Sequence, residues 1–139
     1  MGLAALAFAL PASGATYDPA ADPNSMAATA AYLGAGAWWS AGYTGRGIDV
    51  AVIDTGVAPV QGLDAPGKVV YGPDLSFESQ SQTLKNNDTN GHGTFMAGLI
   101  AGNDGDGYRG IAPGARIVSV KVGTADGAVD VSQMIAAPR

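Results

Sequence analysis

Ile48-Asp49-Val50-Ala51-Val52-Ile53, closing on Asp54-Thr55-Gly56, decides the fold. A short, nearly continuous apolar run rich in β-branched residues predicts a strand buried on both faces of a parallel sheet. A carboxylate ending such a strand stands where open α/β sheets place their active sites, at the carboxyl ends of the strands. Taken alone, an Asp-Thr-Gly after a strand also begins turns and occurs in unrelated enzymes. Asp54 is therefore a candidate that needs a partner.

Downstream, Lys68-Val69-Val70-Tyr71 predicts a second strand, and 74–90 reads as a polar loop. Gly91-His92-Gly93-Thr94 opens a helix predicted to run through Ala101, with Gly102 placed as a left-handed stop. Ala97, Gly98 and Ala101 give that helix a small-residue face able to lie close to a sheet. A glycine-aspartate loop covers 103–110, a third strand 116–122, and 129–136 begins another helix. Upstream, the alanines of 26–40 with Tyr32, Leu33, Trp38 and Trp39 predict a helix, weakened by Gly34 and Gly36. A turn covers 42–47. Residues 16–25, with Pro19, Pro23, Asn24 and two aspartates, read as an irregular linker. Strands alternating with helices predict an α/β fold with a parallel sheet, and no internal repeat is present.

The chain opens on an apolar run at 2–10, continued by small residues at 11–15 of the kind that precede signal-peptidase cleavage. A secretory signal over 1–15 predicts an extracellular destination. Against it, no basic residue precedes Arg46, and an alanine-rich start left by a truncated or mis-started reading frame is the alternative. The run is too short to span a bilayer on either reading.

Composition narrows the partners. Hydrophobic residues make up 47% of the 139 and charged ones 14%, which predicts one packed domain and not a disordered chain. A formal charge of −5 without any basic run removes the phosphate-neutralising footprint of a nucleic-acid binder. Cysteine is absent, which excludes disulfides and thiolate metal sites but leaves the compartment open.

His92, the only histidine, stands between two glycines at a predicted helix start. A helix N-terminus favours the neutral imidazole that a general base needs, while a nearby carboxylate favours the cation and fixes the tautomer. The same position also suits an exposed or structurally capped histidine.

The surrounding strings resemble the subtilisin-like (S8) serine peptidases. Val50-Ala51-Val52-Ile53-Asp54-Thr55-Gly56-Val57 is similar to the segment around that family's catalytic aspartate, and Asn90-Gly91-His92-Gly93-Thr94-Phe95-Met96-Ala97-Gly98 to the segment around its histidine. Gly110-Ile111-Ala112-Pro113-Gly114-Ala115 and the strand after it resemble the segment that the family carries after its histidine helix, and the tryptophan helix with Gly45-Arg46-Gly47 fits too. The resemblance covers about 30–135, in order and at compatible spacing.

It implies a three-layer subtilisin-like fold of which 26–139 is the N-terminal part, and hydrolysis of protein or peptide substrates by a monomer when complete. Asp54 would orient His92, and His92 would relay the proton of a serine. No serine here stands in the Gly-Thr-Ser setting of the family's nucleophile, and the oxyanion-binding asparagine would also lie beyond Arg139. Asp126-Gly127-Ala128 falls where the family pairs an extended substrate as an added strand, Gly127 letting the substrate backbone approach; a plain surface turn is the alternative. No cofactor is implied for catalysis. The loop Asn103-Asp104-Gly105-Asp106-Gly107 lies where relatives hold a structural calcium, with Asp104 and Asp106 as ligands, but it does not match an EF-hand and also reads as a solvated turn.

Two departures stand out. Phe95 occupies the place of a second histidine, which should alter packing beneath the site more than chemistry. A folding-assistant propeptide is missing between the apolar start and the first helix, which implies a branch without one or an incomplete reading frame.

The main rival is a retropepsin-like aspartic peptidase, whose signature Ile53-Asp54-Thr55-Gly56 also matches. It would need two chains to supply two aspartates, Val57 stands where that family has a small or hydroxylated residue, and the 90–98 string stays unexplained. A haloacid-dehalogenase phosphatase would need an aspartate where Gly56 stands. A non-catalytic fragment or pseudoenzyme also stays open, because the serine is absent.

Overall fold

A computed structural model of the chain describes residues 17–105 and 107–137. The segment 1–15 and Asp106 lie outside the described residues. The alanine-rich stretch forms two short helices instead of one, α1 (Met26–Tyr32) and α2 (Ala35–Ser40), because Gly34 between them turns left-handed at φ 69°. Ser25 caps α1 by accepting from Ala28 N at 3.0 Å, and its hydroxyl donates to Pro19 O at 2.6 Å, which ties the 17–24 turns to the helix. Trp39 anchors α2 by donating Nε1–H to Ile111 O at 3.0 Å, with the Arg109 guanidinium over its ring. Trp38 is exposed and meets Tyr43 edge-on.

The remaining elements are β1 (Asp49–Asp54), β2 (Val69–Asp74), α3 (His92–Ala101), β3 (Arg116–Lys121) and α4 (Val131–Ala136). The strands form one sheet in the order β1-β3-β2, both pairs parallel, so the expected α/β architecture is present. In this register Asp54 lies beside Lys121 at the carboxyl end of the sheet.

α3 packs on one face through Ala97 and Ala101, closing a core with Val52, Val57, Leu63, Ala115 and Ile117. Its small-residue side behaves as expected, since Gly93, Ala97, Gly98 and Ala101 are all buried. The other face is incompletely covered. Ala51 and Val70 are exposed and Val118 is half-buried, although Val120 is buried. The expectation that β1 is buried on both faces is thereby corrected: among the described residues β1 is an edge strand, covered by α3 on one side only.

Details of the element ends also differ. β2 continues past Tyr71 through Gly72 and Pro73, which an edge strand tolerates because no neighbour needs the missing amide, and its pairing shifts register there. Gly102 ends α3 in an extended conformation at φ −55°, ψ 142°, not left-handed. Glycine is required there by crowding: a Cβ would sit 2.5 Å from the Tyr108 ring. α4 starts at Val131, fixed by a capping box between Asp130 and Gln133.

Candidate functional site

The sheet register puts Asp54 at the end of β1, and the loop before α3 brings His92 over it. His92 Nδ1 lies 2.8 Å from Asp54 Oδ1 and 2.9 Å from Oδ2, so the ring faces the carboxylate with one nitrogen. The Asp54 side chain is 17% exposed and that of His92 60%. Among the described residues nothing bonds His92 Nε2, which leaves a second ring nitrogen open to solvent. With Asp54 ionised and Nδ1 as the donor, the neutral ring carries its lone pair on Nε2.

Backbone closeness is built in. Gly91 takes φ 101°, and a Cβ on Gly93 would lie 2.1 Å from Gly56 O, so no other residue lets the histidine loop settle against the Asp54-Thr55-Gly56 turn. Gly93 N donates to Thr55 Oγ1 at 3.0 Å, and Thr55 N donates to Asp54 Oδ1 at 2.7 Å.

A second acid, Asp88, which sequence reasoning missed, organises both loops. Asp88 Oδ1 accepts from Thr55 Oγ1 and from Gly91 N, each at 2.8 Å, and from Asn90 N at 3.2 Å. Its Oδ2 accepts from Thr94 N at 2.8 Å and Thr94 Oγ1 at 2.5 Å. Burial pushes the Asp88 carboxyl up, but the donors of Thr94, Gly91 and Thr55 outweigh it and hold the group below its usual value. The available signal was an aspartate just ahead of a helix start, an Asx-turn position.

A cleft of about 320 Å³ opens beside the pair. Asp54, His92 and Asn90 line it with Gly127 and the apolar Val122, Val129 and Met134; no serine does. Val122 N and Gly123 N both donate to Asp54 O, at 2.8 and 3.2 Å, which fixes the strand end against the carboxylate residue. Gly127 is thus brought to the site, in a tight hairpin: Gly127 N donates to Thr124 O at 2.8 Å and Thr124 N to Ala128 O at 3.1 Å, with Gly127 at φ 78°. That geometry is a three-residue loop closed by a left-handed glycine.

The other sequence candidates lie elsewhere. Asp104 Oδ1 accepts from Tyr108 N at 3.0 Å, inside a turn closed by the Asn103–Arg109 bridge. Among the described residues no cluster of three or more His, Asp or Glu side chains is arranged to hold a metal. Phe95 is 61% exposed and lines a groove under the 17–26 segment, so its packing effect falls on the outer side of α3 and not beneath the Asp54–His92 pair.

The profile of the subtilase family matches residues 45–138. The chain belongs to the subtilase family. Among curated subtilase relatives, it is 39% identical over 98 residues to the minor extracellular protease Epr of Bacillus subtilis (strain 168), covering 70% of this chain and 14% of that protein. It is 33% identical over 108 residues to the major intracellular serine protease of the same organism, covering 77% of this chain and 34% of that one. The solved structure of the MycP3 protease from the type VII (ESX-3) secretion system superposes with a TM-score of 0.57 at 38% identity, over 77% of this chain and 26% of that one. This subtilase chain therefore spans a seventh to about a third of the length of these relatives. Subtilase membership, together with Asp54 facing His92, disfavours the aspartic-peptidase alternative.

Proposed function

We propose that the chain is the N-terminal part of the catalytic domain of a secreted, monomeric serine endopeptidase, with Asp54 and His92 serving a serine supplied beyond residue 139. The observation that carries this reading is the contact of His92 Nδ1 with both carboxylate oxygens of Asp54, at 2.8 and 2.9 Å, beside a cleft, with Nε2 unbonded among the described residues.

The proton path is set by that geometry. Nε2 takes the hydroxyl proton as the serine oxygen bonds to the substrate carbonyl carbon. The imidazolium then faces Asp54, which stabilises it, and gives the proton to the leaving amine as the C–N bond breaks. Water replaces the amine and repeats the sequence on the acyl-enzyme. Gly127 offers exposed backbone to an extended peptide, and the apolar Val122, Val129 and Met134 suit its side chains. No cofactor enters these transfers. The sequence 103–107 is read as a solvated turn, because its aspartates do not follow the EF-hand ligand pattern. Export is supported by the apolar start and by the extracellular relative, and no helix among the described residues is long and apolar enough to cross a membrane.

The test is reaction of the full-length protein with a serine-directed phosphonylating reagent, alongside casein hydrolysis. Both are expected, and both should collapse in His92→Ala. A protein that ignores the reagent, or keeps its activity after His92→Ala, refutes the reading.

A further inference from the structure

The hairpin that carries Gly127 has no apolar anchor. Residues 125–130 are all exposed, so beyond its buried root at Val122 and Gly123 the core does not hold the hairpin. An exposed segment of this kind belongs to the least stable part of a fold unless polar tethers hold it. Two tethers do, and both grip one residue. Ala125 N donates to Glu78 Oε1 at 3.0 Å, and Ala125 O accepts from Asn90 Nδ2 at 2.9 Å.

Glu78 is itself held from behind. Its Oε2 lies 3.0 Å from Lys121 Nζ, with the lysine side chain 0% and the glutamate 13% exposed, and also accepts from Thr89 Oγ1 at 2.8 Å. Lys121 Nζ donates in addition to Thr55 O at 2.6 Å, the residue next to Asp54. Asn90 stands two residues before His92. The Ala125 peptide is therefore fastened on one side to the end of β1 and on the other to the histidine loop.

A buried ion pair adds little stability over apolar residues of the same size, so stability alone is a weak reason for a lysine on β3 to be matched with a glutamate from the 74–90 loop. We infer that Glu78, neutralised by Lys121 and opposed by Asn90, is a positioning residue: it holds the Ala125 peptide so that the hairpin presents Gly127 to an extended substrate in register with the Asp54–His92 pair. The inference rests on the peptidase reading. Glu78 touches no substrate in it, and acts through Ala125.

Two double variants of the full-length protein separate the acceptor from the charge pair. Glu78→Leu with Lys121→Met removes both charges and the acceptor; Glu78→Gln with Lys121→Met removes the charges but keeps a carbonyl for Ala125 N–H. Amide exchange over residues 124–128 reads the tether directly. Hydrolysis of a short ester, which does not reach the hairpin, and of an extended peptide reads the function. The Leu/Met variant is expected to exchange 124–128 about tenfold faster and to raise KM for the extended peptide about tenfold, the weight of one hydrogen bond. Its kcat/KM for the short ester stays within about twofold, and the Gln/Met variant restores both readouts. Equal behaviour of the two variants, or equal losses on short and extended substrates, overturns the inference. A wild-type protein that neither hydrolyses nor reacts with the phosphonylating reagent overturns the peptidase reading and the substrate role with it, while exchange still decides whether Glu78 holds the hairpin.

Discussion

Asp88→Asn is expected to destabilise the full-length protein by about 2 kcal/mol at neutral pH, through loss of a charged acceptor and stranding of a donor. The amide can keep its oxygen toward Thr55 Oγ1 and Gly91 N, but its NH2 then faces Thr94 N, which donates to Oδ2 at 2.8 Å in the wild type. The Thr94 hydroxyl can rotate and accept instead; the backbone N–H cannot. A hydrogen bond to a charged group contributes about 1.5–3 kcal/mol, and Asp88 is only half-buried, so the lower part of that range applies. Asn90 and Gly91 are exposed and regain water. Urea unfolding at a series of pH values is the assay. Because the folded protein holds the Asp88 carboxyl below its ordinary value, its contribution is complete above the unfolded value of about 4 and is lost as pH falls through the lower folded one. The gap between wild type and variant should therefore close below about pH 4. A gap under about 0.5 kcal/mol at neutral pH, or one unchanged at strongly acidic pH, refutes the reasoning.

His92→Ala should cost several orders of magnitude in kcat with little change in substrate binding, and Asp54→Asn about 10⁴; the double variant should lose no more than the worse single one, because the two residues act as a unit. The wild-type rate should fall on the acid side as the ring protonates and persist above neutrality, whereas an optimum at strongly acidic pH contradicts a histidine base. Ser119→Ala should leave the melting temperature unchanged or raise it, since Ser119 Oγ is buried without a hydrogen-bond partner among the described residues; a drop worth more than about 1 kcal/mol shows that the hydroxyl is bonded. The isolated 139-residue chain should bind apolar dyes and unfold without cooperativity, because Ala51 and Val70 on the sheet and Val131 and Ile135 on α4 are exposed; a sharp thermal transition contradicts this. Asp104→Asn should shift the melting temperature equally with and without calcium, and a shift seen with calcium alone makes the 103–107 loop a calcium site.

The elements that sequence reading located well are those whose signal is local. The β-branched run of β1, the small-residue helix α3 and the strand β3 are legible in composition over six to ten residues. Asp54 and His92 could be singled out as candidates because each sits at an element boundary, where side chains escape the core. Coverage was not legible: whether β1 is buried on one face or two depends on which helices lie over it, and no pattern within β1 reports that. Gly102 shows a related limit. A glycine after a helix suggests a left-handed stop, yet here the ring of Tyr108, six residues on, and the Gly98 carbonyl together leave no room for a side chain.

Asp88, Glu78 and Lys121 were missed for a different reason. Each looks like ordinary loop or surface chemistry until the chain folds back. Of the ion pair, Lys121 alone carried a usable hint, a lysine inside the apolar run Ile117-Val118-Ser119-Val120-Lys121-Val122, where a charge needs a partner. The partner lies 43 residues away in a polar loop with nothing to mark it.

The three acids around the site differ in what their oxygens are free to do, and that difference supports the roles assigned to them. Both oxygens of Asp88 accept from backbone amides and threonine hydroxyls that cannot leave without unravelling the start of α3. Both oxygens of Glu78 are taken by Ala125 N on one side and by Lys121 and Thr89 on the other. A carboxylate committed to fixed donors holds structure but has little capacity to answer a charge that forms during a reaction. Asp54 is different: its Oδ2 accepts, among the described residues, from the histidine ring alone, while Thr55 N steadies Oδ1. A positive charge appearing on His92 therefore meets an oxygen with no competing donor, held by an oxygen that cannot turn away. Exchanging the environments of these acids would leave the sequence motif intact and remove the arrangement that a histidine base requires.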